Sequence, residues 1–336
     1  MEPTIYKAQD FKSDQDVRWC PGCGDYALLS SLQKAMAEFG VAPDKTVVIS
    51  GIGCSSRLPY YINSYGMHTI HGRAAAIASG VKVANPELTV WQITGDGDCL
   101  AIGGNHFIHS IRRNIDINII LFNNEIYGLT KGQYSPTSKI GFVSKTSPYG
   151  TVEEPFKPAQ LTFGSGGNFF ARTIDVDLKT AQDVMLKAAR HKGCSVVEAL
   201  VNCVIFNEGT HKTISDKEFR ADRTIVLKHG EPMIYGKNSD MGLMIDGFSL
   251  KAVKIGENGI TEKDVLIHDA KCEDPTLHFK LGNMRGDLPV ALGVIRDVDG
   301  VSYDEAVTKQ INDVREKRPA RKIEDFFRTL ETWEIK

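Results

Sequence analysis

Two polar signals in the first half of the chain carry residue types that can bind a magnesium ion. Asp96 lies within the sequence Gly-Asp-Gly-Asp, and Asn124 follows 28 residues later as the second residue of an Asn-Asn pair. A carboxylate, an amide oxygen and nearby carbonyls are the hard oxygen ligands of Mg²⁺, and phosphate oxygens complete its octahedron. Gly97 lets the backbone approach, and a helix beginning near Asp98 would direct amide groups at an anion. The alternative is an Asp-Gly turn with Asp98 as N-cap and an unrelated Asn-rich turn.

The elements around these residues are predicted to bring them together. Residues 90–94 have the composition of a strand, and apolar residues at helical spacing then lead to Arg112-Arg113. Residues 117–122 form a short apolar run, as a strand buried on both faces requires. Two strands joined by a helix make a parallel βαβ unit, which binds ligands at the carboxyl ends of its strands. Both signals follow such ends, and together they favour a metal–diphosphate site over two separate turns.

Other phosphate and metal motifs match poorly. The sequence has no GxxxxGK followed by Ser or Thr, and neither Gly51-Ile52-Gly53 nor Gly95-Asp96-Gly97 has the third glycine of a dinucleotide fingerprint. A calcium loop opening at Asp96 would need Glu at its twelfth position, where Phe107 stands.

Four cysteines lie where loops or strand ends are predicted. Cys20 and Cys23 form a CxxC in a Pro-Gly turn, Cys54 follows a strand in a Gly-Ser loop, and Cys203 is expected to close the last clear strand. Thiolates converging in this way are what an iron–sulfur cluster requires. A zinc site, a redox pair and unrelated thiols stay open as alternatives. The three remaining cysteines are expected to act as small buried hydrophobes: Cys99, Cys194 and Cys272.

Composition limits the class of protein. The chain has 336 residues, 42% hydrophobic and 24% charged, with a net charge of −2, which does not suggest a nucleic-acid binder. No apolar run approaches the ~18 residues of a membrane span. The polar beginning lacks the apolar core of a signal peptide. Seven cysteines, an odd number, favour reduced thiols or metal ligands. We therefore expect a cytoplasmic protein.

The rest of the pattern predicts an α/β protein with a doubly wound parallel sheet. Helices are predicted at 26–39, 74–84 and 180–191, strands at 46–50, 169–175 and 195–203, and a long functional loop at 132–157. Beyond residue 207 the alternation fades. We expect residues 1–206 to form the ligand-binding domain and residues 207–336 a C-terminal extension that wraps on the core or contacts a partner. The basic run at 315–322 indicates a solvated surface, or else a docking site for an acidic protein.

At the level of motifs, the chain resembles a known family. The Gly-Asp-Gly and Asn-Asn pair is similar to the signature of thiamine diphosphate enzymes, which implies that Asp96, Asn124 and the carbonyl of Ile126 hold the metal. WCPGCGD, GIGCSSR, HTIHGRAAAIASGVK, TGDGD and FNNEIYGLTKGQYSPTS occur in order and are followed by a late cysteine. Together they resemble the β subunit of the 2-oxoacid:ferredoxin oxidoreductases over roughly residues 17–205.

This resemblance implies cofactors and their contacts. It places one 4Fe-4S cluster on the cysteines matching Cys20, Cys23, Cys54 and Cys203. It also implies Mg²⁺ and thiamine diphosphate, the latter contacted by two glycine loops and by the residues beside both metal ligands: Ile52, Gly53, Cys54, Ser55, His71, Gly72, Arg73, Ala74, Gly97, Asp98, Gly128, Leu129, Thr130, Lys131, Gly132 and Gln133.

The implied reaction is oxidative decarboxylation, in which a 2-oxoacid and coenzyme A give acyl-CoA, CO₂ and electrons for ferredoxin. Thiamine diphosphate acts as the electron sink, and a cysteine-ligated cluster suits the low potentials. Thiamine enzymes also need a Glu from a pyrimidine-binding domain, for which this chain has no room. The resemblance therefore implies an α subunit and a heterodimer or dimer of heterodimers.

Three residues are candidates for the catalytic centre. Arg57 and Lys131 lie in the two cofactor loops and could bind substrate carboxylates, and His71 is the third candidate. Two cations and the form YGLTKGQ favour 2-oxoglutarate over pyruvate or a broad range of 2-oxoacids. Both cations could instead be solvated or pair with acids of the α subunit. A non-redox thiamine enzyme and a zinc-stabilised structural subunit are the competing classes of protein.

Overall fold

The structure is a computed structural model that describes residues 5–318, 322–327, 333 and 335. Its strands are β1 Thr46–Ser50, β2 Tyr65–His68, β3 Thr89–Gly95, β4 Asn118–Asn123, β5 Phe169–Ile174, β6 Ser195–Leu200, β7 Thr224–Leu227, β8 Ile234–Tyr235, β9 Met241–Asp246, β10 Ser249–Lys254 and β11 Val290–Asp297. Its α-helices are α1 Asp25–Phe39, α2 Ala74–Ala84, α3 Asp96–Leu100, α4 Gly104–Arg112, α5 Pro158–Gly164, α6 Leu178–Arg190, α7 Lys212–Ser215, α8 Arg220–Arg223, α9 Thr276–Gly282, α10 Tyr303–Lys317 and α11 Ile323–Phe326.

Eight strands form one large sheet in the order β2-β1-β3-β4-β6-β5-β11-β7. Neighbouring strands pair in parallel, except that β11 runs antiparallel to β5. Helices pack on both faces, so the predicted doubly wound α/β fold is confirmed. The chain adds β2 on one side of β1, and then β3 and β4 on its other side. Such a reversal of strand order leaves a crevice at the carboxyl ends of the strands, where ligands of doubly wound sheets bind.

Strand β4 shows why the sheet has two apolar faces. Its six residues are all buried. Ile119 and Leu121 pack in a hydrophobic cluster with Phe107 of α4, whereas Ile120 and Phe122 pack in a second cluster with residues of α1 and α6. Alternate side chains of a strand point to opposite faces, so a strand covered on both sides must be apolar throughout. The run at 117–122 was recognisable for this reason.

The segment after residue 207 adds strands to the sheet as well as a small sheet of its own. Strands β7 and β11 extend the large sheet beyond β5, and β8, β9 and β10 form a three-stranded antiparallel sheet. The sequence pattern did not predict these strands. Whether residues 207–336 form a separate unit stays a prediction. Arg315, Lys317 and Arg318 of the basic run are exposed, and residues 319–321 lie outside the described part.

Several predicted details were wrong. The crossover between β3 and β4 was expected as one helix, but it is divided into α3 and α4 at residues 101–103. Gly103 packs there against the carbonyl of Asp98, too close for a Cβ atom. Strand β6 ends at Leu200, so Cys203 lies beyond the strand, where it forms an isolated β-bridge with Asn207. Cys99 and Cys194 are buried as expected, whereas Cys272 is exposed.

Within the described residues, no helix is long and apolar enough to cross a membrane.

Candidate functional site

The two signals that opened the sequence do meet in space. Asp96 is the first residue of α3, directly after β3, and Asn124 directly follows β4. These two residues and Ile126 line one cavity of about 460 Å³ at the carboxyl edge of the sheet. Strands β3 and β4 are hydrogen-bonded neighbours, which accounts for the convergence.

Asp96 is held by two hydroxyl groups from the long loop after β4. The hydroxyls of Ser135 and Thr137 each donate to Asp96 Oδ2 at 2.5 Å. Burial raises the pKa of the Asp96 carboxyl to about 6, and these hydrogen bonds act in the opposite direction. A bound cation would add a further interaction that favours the carboxylate.

The backbone turns sharply at Asn124, and side chains from the C-terminal segment contact its carbonyl groups. Glu125 has φ 55°, a conformation that costs a non-glycine residue energy and is common at binding sites. Asn207 Nδ2 donates to the carbonyl of Asn124 at 2.9 Å, and His211 Nε2 lies 3.1 Å from the carbonyl of Asn123. These contacts fix the turn that carries Asn124 and Ile126.

The oxygen atoms of Asp96, Asn124 and Ile126 suit Mg²⁺, which favours oxygen ligands and retains positions for phosphate. Across the described residues, no three His, Cys, Asp or Glu side chains are grouped to hold one metal ion. A carboxylate, an amide and a carbonyl do not form such a group, so a magnesium site of this kind would depend on cofactor phosphates for its remaining ligands.

Asp98 is not the N-cap of the alternative interpretation. Its buried carboxylate accepts hydrogen bonds from the backbone N–H groups of Ile52 and Gly72, at 3.0 and 2.7 Å, and from the Thr94 hydroxyl at 2.7 Å. His71 Nδ1 lies 3.0 Å from the same carboxylate. Asp98 therefore joins the loop after β1 to the turn before α2, and α3 begins two residues earlier than expected.

Most of the expected cofactor contacts line the cavity. The predicted residues found there are Ile52, Gly53, Cys54, Ser55, His71, Gly97, Asp98, Gly128, Leu129, Thr130 and Gln133. The structure places five others beyond its lining: Gly72, Arg73, Ala74, Lys131 and Gly132.

Four further lining residues were not predicted from the sequence: Asp25, Gly95, Phe122 and Tyr127. Tyr127 packs its ring against Gly97 and donates its hydroxyl to the Gly97 carbonyl at 2.9 Å. Burial, followed by the charge of Asp96, raises the pKa of Tyr127 to about 12. Asp25 is buried at the start of α1 and also lines the cavity. Both residues lie inside motifs quoted above, Tyr127 in FNNEIYGLTKGQYSPTS and Asp25 at the end of WCPGCGD.

Of the four cysteines predicted to hold a cluster, Cys54 lines this cavity. Cys23 N–H bonds to the Cys20 carbonyl at 3.0 Å, as expected for a tight CxxC turn, and all seven cysteines of the chain are free. A Cβ atom at Gly128 would stand 3.4 Å from Cys54 Sγ and 3.7 Å from Cys203 Sγ, so these sulfurs face the same glycine.

The environment of Cys54 disfavours a free thiolate. Burial, followed by the charge of Asp25, raises the pKa of the Cys54 thiol to about 12. The Trp19 indole donates to the Cys54 carbonyl at 2.7 Å and fixes the loop. Iron binding to the sulfur would overcome this cost, because a metal-bound thiol is deprotonated.

The two candidate substrate-binding cations lie outside the cavity. Arg57 is exposed, donates from Nε to the Tyr61 hydroxyl at 3.0 Å and lines a separate polar cavity of about 260 Å³. Its charge nevertheless acts on Cys54. Lys131 is exposed at a backbone φ of 77°, within the loop that borders the cavity.

Similar proteins point to the same class. Residues 51–199 match the family described as thiamine pyrophosphate enzyme, C-terminal TPP binding domain. Together with the doubly wound sheet and the cavity at its carboxyl edge, this match places the chain in the class of proteins with the thiamine diphosphate-binding fold.

Relatives identify the family within that class. The 2-oxoglutarate oxidoreductase subunit KorB of Mycobacterium tuberculosis is 43% identical over 333 residues, which cover 98% of this chain and 88% of that protein. The 2-oxoglutarate synthase subunit KorB of Archaeoglobus fulgidus is 40% identical over 248 residues, 74% of this chain and 85% of that protein. The chain belongs to the β subunits of the 2-oxoacid:ferredoxin oxidoreductases.

A solved structure agrees with this placement. The 2-oxoglutarate:ferredoxin oxidoreductase from Magnetococcus marinus, with 2-oxoglutarate, coenzyme A and succinyl-CoA bound, aligns with a TM-score of 0.75 and 32% identity. The alignment covers 94% of this chain and 92% of that one, so the C-terminal segment is part of the shared fold.

Proposed function

We propose that this chain is the cofactor-carrying subunit of an enzyme that oxidatively decarboxylates 2-oxoglutarate with coenzyme A, giving succinyl-CoA, CO₂ and electrons for ferredoxin. The observation that carries the proposal is that Asp96, Asn124, Ile126 and Cys54 all line one cavity. A decarboxylating cofactor and an electron acceptor need this proximity. The names of the KorB relatives and the ligands of the Magnetococcus marinus enzyme support the choice of substrate.

The residues present suit thiamine diphosphate with Mg²⁺. Asp96, Asn124 and the carbonyl of Ile126 would hold the metal, and the loops joined by Asp98 would surround the cofactor. When bound, thiamine diphosphate supplies an electron sink that allows a 2-oxoacid to lose CO₂. His71, which is 3.0 Å from Asp98, would face the cofactor with its ring orientation fixed by that carboxylate.

The four cysteines are proposed to hold one 4Fe-4S cluster. Cys20, Cys23, Cys54 and Cys203 would each bind one iron, so their sulfurs need not surround a single ion. Electrostatic effects of Cys203 on both Cys23 and Cys54 support their proximity. Iron ligation would also account for the Cys54 thiol being kept in a partly buried position.

The active enzyme is proposed to require an α subunit and to act as a heterodimer or a dimer of heterodimers. The relatives are named as subunits, which supports a partner. The α subunit would carry the pyrimidine-binding domain, and ferredoxin would accept the electrons. The expected cytoplasmic location stays a prediction.

Arg57 and Lys131 are proposed to bind the two carboxylates of 2-oxoglutarate at the rim of the site. Both are exposed in this chain, so closure by the α subunit would bring them to the substrate. A second candidate is a broader 2-oxoacid range, which is supported by 44% identity over 210 residues to a relative named only for 2-oxoacids.

Metal and cofactor analysis tests the class of enzyme. The α–β complex, purified without oxygen, is expected to be brown, to bleach on reduction and to contain iron and thiamine diphosphate in the same sample. Thiamine without iron would indicate the non-redox enzyme, and zinc without thiamine would indicate the structural subunit.

Substrate assays test the choice of acid. Turnover of 2-oxoglutarate is expected to exceed that of pyruvate, and Lys131→Met is expected to raise KM for 2-oxoglutarate about tenfold while changing that for pyruvate less. Lys145→Met, an exposed lysine in the same loop, serves as the matched control. Equal or better turnover of pyruvate would overturn the assignment.

A further inference from the structure

Three buried polar residues form a hydrogen-bonded row across the sheet. The row lies near the strand ends that carry the proposed metal ligands. Asn123, Glu198 and Arg172 lie on the adjacent strands β4, β6 and β5 and are only 5%, 3% and 8% exposed. Asn123 Nδ2 donates to Glu198 Oε1 at 2.8 Å, and Arg172 Nε donates to Glu198 Oε2 at 2.7 Å. Both carboxylate oxygens are therefore bound.

The arginine is fixed by the C-terminal segment. Its Nη2 donates to the Gly282 carbonyl at 2.9 Å, at the end of α9, and its Nη1 donates to the Ala291 carbonyl in β11 at 3.3 Å. A buried ion pair is often no more stabilising than apolar residues of the same volume. Stability alone therefore does not explain why Arg172 and Glu198 occupy these positions.

The other end of the row leads to the proposed metal ligands. The Thr137 hydroxyl lies 3.0 Å from Asn123 Oδ1, and the same hydroxyl donates to Asp96 Oδ2. Asn124 directly follows Asn123 in the chain. A rotation of the Asn123 side chain would therefore disturb both Asp96, through Thr137, and Asn124, through the backbone.

We propose that Glu198 and Arg172 are positioning residues for the magnesium site, acting through Asn123. This inference rests on the proposed function, because it assumes that Asp96 and Asn124 hold a divalent metal. Partners that orient metal ligands commonly change metal affinity by about 10- to 100-fold when they are removed. Through this row the C-terminal segment would also support the proposed metal site, because Arg172 donates hydrogen bonds to backbone carbonyls of that segment.

The test uses the α–β complex, stripped of metal by a chelator and titrated with Mn²⁺ in the presence of thiamine diphosphate. Free Mn²⁺ is measured by its electron paramagnetic resonance signal, and the unfolding temperature is measured on the same samples. The test variant is the double substitution Glu198→Leu with Arg172→Leu, which leaves no buried charge unpaired.

The matched control removes another buried ion pair. Lys82 Nζ lies 2.7 Å from Asp116 Oδ2 at the opposite end of β4, with 6% and 20% of the two side chains exposed. Lys82→Leu with Asp116→Leu is expected to lower the unfolding temperature yet leave Mn²⁺ binding within about twofold. The Glu198 and Arg172 double variant is expected to bind Mn²⁺ at least about tenfold more weakly.

A single substitution covers the case in which the double variant does not fold. Asn123→Ser keeps the ion pair but removes the amide that reaches it, and it is expected to weaken Mn²⁺ binding to a similar extent. Unchanged Mn²⁺ binding in the folded double variant or in Asn123→Ser would overturn the inference. Failure of the unaltered complex to bind Mn²⁺ with thiamine diphosphate would instead overturn the proposed function.

Discussion

The two ends of strand β4 both carry buried polar groups, but those groups have different surroundings. At the amino end, Asn118 Oδ1 accepts from the Ser195 hydroxyl at 2.8 Å, and Asp116 pairs with Lys82 and accepts from the Gly193 N–H. At the carboxyl end, Asn123 leads through Thr137 to Asp96, which lines a cavity.

The difference shows how one strand separates stability from ligand binding. Polar groups at the amino end bond to other groups of the protein, and their removal exposes a buried donor or acceptor. At the carboxyl end, the polar groups position Asp96, which lines a cavity of a size suited to a ligand. Substitutions at the amino end should therefore change stability, and those at the carboxyl end should change cofactor binding.

The largest effect is expected for Asp96→Ala. It should lower turnover of the α–β complex by more than about 100-fold and abolish retention of thiamine diphosphate, because a proposed metal ligand is lost. Asp116→Ala, the control at the amino end, should retain the cofactor. Turnover is measured with an artificial electron acceptor, and thiamine is measured after gel filtration. If Asp96→Ala retained a full equivalent of thiamine diphosphate, the carboxyl end of β4 would have no special role in cofactor binding.

Lys82→Met is expected to lower the free energy of unfolding by about 3 kcal/mol, since it leaves the Asp116 carboxylate partly buried without its cation. Denaturant titration measures the change. Lys187→Met is the control, because Lys187 pairs with Asp183 at 2.9 Å and both side chains are about half exposed. That control should cost less than about 1 kcal/mol. Equal losses in the two variants would contradict the buried role of Lys82.

Two glycines sharpen the same comparison. Gly193, at the amino end, has φ 116° and no room for a Cβ atom beside Asn114. Gly193→Ala should therefore cost about 1–3 kcal/mol without changing cofactor affinity.

The matching substitution at the carboxyl end is Gly97→Ala. The added Cβ would stand 2.2 Å from the Tyr127 ring, so the ring must move away from the cavity wall. Cofactor affinity should fall about tenfold, a loss of the size seen when groups that orient a metal site are disturbed. Calorimetry measures thiamine diphosphate binding, and denaturant titration measures the stability of both variants. Loss of cofactor affinity in Gly193→Ala but not in Gly97→Ala would contradict the assignment of stability to the amino end and ligand binding to the carboxyl end.

The smallest effect concerns pH and the C-terminal segment. Burial lowers the pKa of His268 to about 4, and its Nε2 lies 2.9 Å from the Val294 carbonyl in β11. Because the folded pKa lies below the unfolded value of 6.5, the unfolded chain binds the proton more readily. Stability is therefore complete above about pH 6.5 and is lost as the pH falls toward about 4.

Between pH 7 and 5.5 this histidine should contribute a loss of about 1 kcal/mol. Urea titrations at the two pH values measure it, and His268→Gln should reduce the slope. An unchanged slope in that variant would show that His268 does not titrate in this way.

The sequence was sufficient for the parts of the site that local pattern determines. Helix α2 begins and ends at the predicted residues, and the βαβ unit correctly placed Asp96 beside Asn124. Both follow from periodicity and from the geometry of parallel strands.

Other features depend on contacts between distant segments. An acid after glycine at a helix start has the same pattern whether it caps the helix or, like Asp98, binds two loops. Arg172 and Glu198 look like solvated charges until the strands beside them are known. Strand β11 pairs with β5 across more than a hundred residues of sequence, and no local signal specifies that partner.

The pairing of β11 with β5 has a consequence for attempts to dissect the protein. A fragment ending at residue 206 would expose β5 as an open edge strand, whose unpaired backbone invites association between molecules. It would also lose Asn207 and His211, which contact the backbone carbonyls of Asn124 and Asn123 at the proposed metal site. Such a fragment should aggregate instead of folding as a minimal enzyme, so the shortest useful product must include β11.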